Sequence, residues 1–191
     1  MPRKILTAAE LARLPGYQPD PQGRGYYLDS PEGRRGFAGA MPGDECHDHE
    51  RWGMINISKC EEAILREKGV PCQVTIDAGM KQNFAAYVFD QAWVDAMTIE
   101  QRDKPVIFVV GADGTHLIDG VHRLRRRIQD GFTFVRAFLL NPDILRWARV
   151  LPLRQQADGS WKQDGGISDE HLDREIAAAK AIASQVVRPS K

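Results

Sequence analysis

The stretch THLIDGVHRLRRRIQDG, residues 115–131, decides the fold of its part of the chain. A β-branched and apolar run stops at Asp119 and Gly120, and a histidine and four arginines then crowd into residues 121–127. Strand-like residues that give way to helical spacing predict a strand leading directly into a helix. Glycine at such a junction lets the backbone turn sharply and lets another group approach it closely.

The predicted helix has two different faces. At about 100° per residue, Val121, Leu124 and Ile128 share one face, which can pack on a sheet. The opposite arc carries the basic side chains His122, Arg123, Arg126 and Arg127.

The beginning of this helix predicts an anion site. The first turn of a helix carries free N–H groups and a partial positive charge. Gly120 opens the backbone to a ligand, while His122 and Arg123 add side-chain donors in the same turn. Phosphate is the expected ligand, and Arg123 can bind its oxygens bidentately. Arg126 and Arg127 lie one turn further on, where they would meet a longer polyanion such as DNA or an acidic neighbour.

Asp119 leaves several interpretations open. A carboxylate at a helix start repels phosphate unless a metal ion or an arginine screens its charge. Asp119 could cap the helix, hold Mg²⁺ or accept a proton. A capped, basic helix exposed to solvent, with no ligand, explains the same spacing.

The flanking segments predict an α+β fold, a small mixed sheet flanked by helices with an extra helix at each end of the chain. Residues 104–111 form an apolar, β-branched run typical of a central strand. The further predicted strands are 52–58, 71–77, 115–118 and 132–140. The further predicted helices are 7–14, with a capping box of Thr7 and Glu10, 59–69, capped by Ser58, 89–97, capped by Asp90, 141–150 and 168–187. The last has a packing stripe of Leu172, Ile176, Ala179, Ala183 and Val186.

The chain divides into three predicted segments. Residues 1–52 hold a short helix and a Gly-, Pro- and Arg-rich loop with a hairpin closed at 31–33. Residues 53–150 form the predicted core, and residues 151–191 form a connector and a helix packed on the same domain.

Composition bears on three classes of protein: nucleic-acid-binding, membrane-spanning and disulfide-bonded proteins. Lys plus Arg equals Asp plus Glu at 26 each, so any nucleic-acid partner would need a local basic patch. No apolar run approaches the roughly 20 residues of a membrane span. Three cysteines without framework spacing predict a reduced, cytoplasmic protein.

Residues 72–140 resemble the core of the ParB/sulfiredoxin superfamily. Members share a strand, a turn, a second strand that ends in Asp-Gly-x-His-Arg or a variant, a helix and another strand. The resemblance implies binding of ATP or CTP, usually with a divalent cation such as Mg²⁺. Carried over by position, the candidate phosphate-binding residues are Gly120, Val121, His122 and Arg123, and Asp119 is the candidate metal ligand and, with His122, the candidate catalytic residue.

Departures from the family pattern argue against its best-known activities. Sulfiredoxins carry a catalytic cysteine where this chain has Val121, and a thiol is required for that chemistry. Partition ParB proteins have an Arg-Arg pair at the positions where this chain has His122 and Arg123. They also continue into a helix-turn-helix unit, and the residues after Leu140 show no pattern of such a unit. A free-serine kinase, which is similar in fold, would need an upstream catalytic glutamate, for which the pattern gives Glu61 and Glu62 no clear alignment.

A compact domain with short extensions resembles plasmid fertility-inhibition proteins of the oncogenic-suppression type. This resemblance implies an ATP-binding phosphohydrolase (ATPase), with DNase activity, that acts on plasmid or conjugative DNA transfer and meets a conjugation-system protein. The alternative is a non-enzymatic regulator that binds DNA or protein through the basic helix, with nucleotide as a conformational ligand.

Cysteine and histidine residues suggest a second, metal-binding hypothesis. Cys46, His47 and His49 lie within four residues, and Cys60 and Cys72 follow. These are zinc ligands, but their spacing matches no standard knuckle or ribbon. Cys60 on a helix and Cys72 in a strand fit small buried thiols equally well. The loop histidines could instead approach the nucleotide.

Other basic and aromatic residues have two interpretations each. Arg34 and Arg35, together with Arg24, Tyr26 and Tyr27, could form a stacking, basic surface for single-stranded DNA. A flexible surface hairpin is the simpler interpretation.

Three more residues have predicted places. Lys81 could reach a phosphate, although an exposed lysine needs no such role. Trp93 and Trp147 lie in amphipathic stretches and are predicted to be core residues.

Overall fold

The computed structural model describes residues 3–85, 87 and 89–186, with side chains described as far as residue 182. It contains two compact units: unit 1, Met1–Ala63 with Pro142–Lys191, and unit 2, Ile64–Asn141. Residues 53–63 and 142–150, which the sequence assigned to the central core, therefore belong with the terminal segments. The helices and strands confirm the predicted α+β class.

Eleven strands and eight helices lie within the described residues. Numbered along the chain, the strands are β1 Lys4–Ile5, β2 Gly25–Ser30, β3 Gly33–Ala38, β4 Cys46–His49, β5 Gly53–Asn56, β6 Cys72–Thr75, β7 Val106–Gly111, β8 Gly114–Asp119, β9 Phe134–Leu140, β10 Leu151–Gln155 and β11 Trp161–Gln163. The helices are α1 Ala8–Leu11, α2 Ile57–Arg66, α3 Ala78–Ala85, α4 Gln91–Ala96, α5 Ile99–Asp103, α6 Val121–Gln129, α7 Ile144–Ala148 and α8 Asp169–Val186. None of these helices is long and apolar enough to cross a membrane.

Unit 2 is built on a mixed sheet with the strand order β6-β9-β7-β8. Strands β7 and β9 pair in parallel, whereas β8 and β6 are antiparallel to their neighbours. The central position of β7 confirms the prediction from its apolar run. Phe108 of β7 and Leu124 of α6 pack in one core cluster, which fixes α6 on the sheet by its apolar face.

Local signals set both ends of α6. Gly120 precedes its first residue with a φ of 93°. At the other end, the amide of Phe132 donates to Arg127 O and the amide of Gly131 to Ile128 O, with Gly131 at a φ of 79°. This is a Schellman ending, which needs a left-handed residue and so favours glycine.

Unit 1 contains a five-stranded antiparallel sheet with the order β1-β2-β3-β10-β11, and a separate β4–β5 hairpin. The predicted hairpin closed at residues 31–33 is confirmed by the β2–β3 pair. The predicted connector after residue 150 is wrong, because β10 pairs with β3 and β11 pairs with β10. The sequence did not predict β10 because its run LPLRQ contains Pro152, and proline argues against a strand.

Helix starts follow the predicted capping chemistry in most places. Thr7 and Glu10 form the predicted capping box, and Asp90 caps α4 through the amide of Trp93. The predicted cap at Ser58 is wrong: α2 begins at Ile57, and the Asn56 side chain accepts the Lys59 amide at 3.0 Å.

The last helix confirms part of its predicted packing stripe. The side chains of Leu172, Ile176 and Ala179 are buried. The side chains of Ala183 and Val186, and all of Val187, lie outside the described residues.

Candidate functional site

The turn from β8 to α6 leaves the start of α6 without a side-chain cap. Gly120 is the N-cap residue and lies in the left-handed region. The first helical hydrogen bond runs from the Leu124 amide to Gly120 O at 2.9 Å. The amides of Val121, His122 and Arg123 therefore have no acceptor within the helix, and they are available to an anion.

Only glycine fits at this junction. A Cβ atom on Gly120 would lie 2.6 Å from Cγ1 of Val106, which is fully buried in the core of unit 2. Its φ of 93° is also strained for any residue with a side chain. The sequence therefore fixes the geometry of this turn through one residue.

Asp119 and Arg123 form an ion pair across the turn, with side chains 14% and 20% exposed. The interpretation of Asp119 as the helix cap is wrong, because Gly120 occupies that position. Nε of Arg123 is buried and has no hydrogen-bond partner among the described residues. Asp119 thus screens and holds the guanidinium that the sequence assigned to phosphate.

His122 faces aromatic side chains of unit 2. Its ring lies 4.8 Å from that of Trp93 and 6.2 Å from that of Phe89, both edge-on. The predicted core position of Trp93 is wrong, because its neighbour Val94 is the buried residue of α4 and Trp93 is 47% exposed. Candidate residues for a ligand therefore include an aromatic group that sequence reasoning assigned to the core.

Arg127 is buried, which corrects its assignment to an exposed DNA-binding arc, whereas Arg126 is partly exposed. Arg127 is 5% exposed and donates to Phe134 O at 3.1 Å and to Asp103 at 2.7 Å. Arg126 donates to Val94 O at 3.2 Å and pairs with Asp130. Both arginines are thereby committed to contacts inside unit 2.

The carboxylates that contact these arginines have lowered pKa values. Hydrogen bonds from Arg102 hold the pKa of Asp103 and the pKa of Asp130 below the ordinary aspartate value. Arg126 and Arg127 add to this effect by hydrogen bonding and by charge. Both carboxylates therefore stay ionised at neutral pH and join α5 to α6.

The remaining predicted binding residues belong to other elements of the chain. Lys81 is exposed on α3, where its amide donates to Asp77 O. Arg34 and Arg35 belong to unit 1, where Arg34 pairs with Asp29 at 2.7 Å and Arg35 approaches Asp164 at 3.7 Å.

The predicted stacking surface in unit 1 is only partly present. Tyr26 is buried and stacks on Phe37, which removes it from such a surface. Tyr27 is half-buried and lies under the Arg34 guanidinium at 4.4 Å.

The zinc hypothesis finds no support in the geometry. Residues 3–85, 87 and 89–186 contain no group of three His, Cys, Asp or Glu side chains placed to hold a metal ion. Cys46 and His47 are successive residues of β4, so their side chains leave opposite faces. His49 stacks on Trp52 at 4.4 Å. Cys60 is buried as expected, whereas Cys72 is exposed.

Unit 1 holds a polar cavity of about 180 Å³ that the sequence did not predict. Its wall combines aromatic residues with ion pairs, among them Tyr17, Trp147, Lys59, Asp20, Arg149 and Asp169. Lys59 pairs with Asp20, and Arg149 pairs with Asp169. The charges that line this cavity therefore largely neutralise one another.

A buried ionic cluster contributes two of its members, Asp20 and Lys59, to the wall of this cavity. The side chains of Asp20, Arg24 and Lys59 are each no more than 3% exposed. The Lys59 ammonium group also donates to Trp147 O at 3.0 Å, and Arg24 pairs with Glu62. Buried ions of this kind require mutual compensation. The local sequence does not indicate that these side chains are buried, because Lys59 has the spacing of an ordinary surface lysine on an amphipathic helix.

Comparisons of the chain with protein-family models, with curated proteins and with solved structures found no match.

Proposed function

We propose that unit 2 has a ParB/sulfiredoxin-like fold and binds the phosphates of a nucleoside triphosphate at the start of α6. The observation that carries the proposal is the left-handed Gly120, which has no side-chain cap and leaves the first amides of α6 available. The strand–turn–strand–glycine–helix–strand order of β7, β8, α6 and β9 supports the resemblance drawn from residues 72–140.

Arg123 is the side chain best placed to add charge to this site. It lies in the first turn of α6, and its Nε atom has no hydrogen-bond partner among the described residues. Asp119 competes with phosphate for the same guanidinium. Phosphate binding would therefore require Arg123 to exchange its carboxylate partner for phosphate oxygens, and Asp119 would set the cost of that exchange.

A protein-held Mg²⁺ ion does not fit these residues. Asp119 is ion-paired with Arg123, and the described ranges hold no cluster of three metal-ligating side chains. Mg²⁺ bound with a nucleotide is usually held through one or two carboxylates together with the phosphates, and the candidate carboxylate Asp119 is already engaged by Arg123. We therefore assign the neutralisation of phosphate charge to the helix start and Arg123.

Hydrolysis of ATP and cleavage of DNA are further proposals for the same turn, with His122 and Asp119 as the groups able to exchange a proton. The conjugation-related role implied by the resemblance stays a prediction. A basic-helix regulator would need Arg126 and Arg127 at its surface, and their internal contacts disfavour it. Phosphate release from ATP, measured with the unaltered chain and with His122→Ala, separates turnover from binding alone.

We expect Arg123→Ala to weaken nucleotide binding by about 1.5–3 kcal/mol, roughly 10- to 150-fold, because a charge-assisted hydrogen bond is lost. Calorimetric titration with ATP and with CTP measures the change. Arg136→Ala is the matched control, since Arg136 is an exposed arginine of β9 in the same unit.

Asp119→Asn should act in the opposite direction and tighten metal-free nucleotide binding, because it frees Arg123 and removes a like charge. An Arg123→Ala variant that binds ATP and CTP as tightly as the Arg136→Ala control would refute the assignment.

A further inference from the structure

We infer that Trp93 and its aromatic neighbours form a stacking surface for the base of the nucleotide. The inference rests on the proposed phosphate site and adds to it the class of ligand: a phosphate carrier with an aromatic base, as opposed to an inorganic polyphosphate. The surface is defined by Tyr87, Phe89 and Trp93.

The aromatic surface lies beside the start of α6. His122 belongs to the first turn of that helix, and its ring contacts the rings of both Trp93 and Phe89. Tyr87 continues the surface, with its ring 6.2 Å from that of Phe89. His122 therefore lies between the first amides of α6 and the aromatic rings. A nucleotide whose phosphate binds those amides would have its base near the rings.

Exposure distinguishes Trp93 and Tyr87 from the core of unit 2, whereas Phe89 is partly buried and packs against that core. Trp93 is 47% exposed and Tyr87 is 58% exposed, whereas Phe84 in the adjoining helix α3 is buried. Large aromatic rings left in contact with water beside a polar helix start provide the flat faces that nucleobases stack on. Isolated exposed apolar residues need no explanation, but a contiguous aromatic group points to a partner.

The basic side chain of Arg125 lies over one of the rings. The Arg125 guanidinium lies 5.3 Å from the centre of the Phe89 ring, and Nε of Arg125 is buried without a hydrogen-bond partner in the described part of the chain. Aromatic rings combined with arginine favour nucleotides over purely apolar ligands, since the cation assists stacking and attracts phosphate.

The test compares nucleotides with inorganic triphosphate on the full chain. We expect Trp93→Ala to weaken binding of ATP or CTP, whichever binds the unaltered chain more tightly, by about 10-fold, the order of one base–aromatic stack. Binding of inorganic triphosphate should change by less than about twofold, because it has no base to stack. Trp93→Phe should retain most of the nucleotide affinity.

Ile99→Ala is the matched control, since Ile99 is an exposed apolar residue of α5 in the same unit. Equal losses for nucleotide and inorganic triphosphate, or no loss for either, would overturn the stacking surface and leave the phosphate site standing. Loss of self-association in place of nucleotide affinity would also overturn it. Failure of the unaltered chain to bind either compound would overturn the phosphate site and the stacking surface together.

Discussion

Lys59→Met should lower the free energy of unfolding by about 3–5 kcal/mol, because removal of one member of a buried ion pair leaves the other uncompensated. The side chains of Lys59 and Asp20 are 3% and 2% exposed, so water cannot replace the lost ammonium group. Arg24 remains, but its nearest approach to the Asp20 carboxylate is 3.9 Å. Methionine preserves the length of the side chain and removes the charge. Urea unfolding followed by tryptophan fluorescence measures the effect.

Lys180→Met is the matched control for this prediction. Lys180 pairs with Asp143 at 2.6 Å, but both side chains are about half exposed, and such pairs contribute less than about 1 kcal/mol. The double variant Lys59→Met, Asp20→Asn should recover part of the loss, since a neutral amide costs less to bury than a lone carboxylate. Equal effects of the two lysine substitutions would show that the buried cluster is not a compensated ionic site.

Gly120→Ala should destabilise the chain by about 2–5 kcal/mol. The left-handed backbone costs about 1–2 kcal/mol for a residue with a side chain, and overpacking against a core residue adds about 1–3 kcal/mol. The overpacking arises because the new Cβ would lie 2.6 Å from Val106. Urea unfolding followed by far-ultraviolet circular dichroism measures the loss.

Gly131→Ala separates the two contributions. Gly131 also has a positive φ, at 79°, but a Cβ there would have no atom within 4 Å. We expect it to cost only the backbone term of about 1–2 kcal/mol. A Gly120→Ala variant no less stable than Gly131→Ala would contradict the close approach of Val106 to the turn.

Local signals explain why the sequence predicted the elements around the β8–α6 turn. The apolar run that became β7, the glycine at position 120 and the Asp90 cap each act within a few residues, so spacing alone reveals them. Strand β10 has no such signal, because its partner β3 lies more than a hundred residues earlier and Pro152 interrupts its pattern.

The role of the arginines of α6 could not be predicted from how many of them the helix carries. A helical projection assigned Arg127 to the exposed arc, but α5 supplies Asp103 and β9 supplies a carbonyl group that draw its guanidinium inside. The projection ignores such neighbours, because they come from other parts of the chain. The same limit hid the cluster of Asp20, Arg24 and Lys59, whose members have no characteristic spacing.

The most direct test of the phosphate site is a titration of the ¹⁵N-labelled chain with inorganic triphosphate, followed through its backbone amide resonances. The largest shifts should occur at Val121, His122 and Arg123, because these amides have no acceptor within α6. Shifts confined to residues that line the cavity of unit 1, such as Arg149, or no shift at the start of α6, would contradict the proposed site.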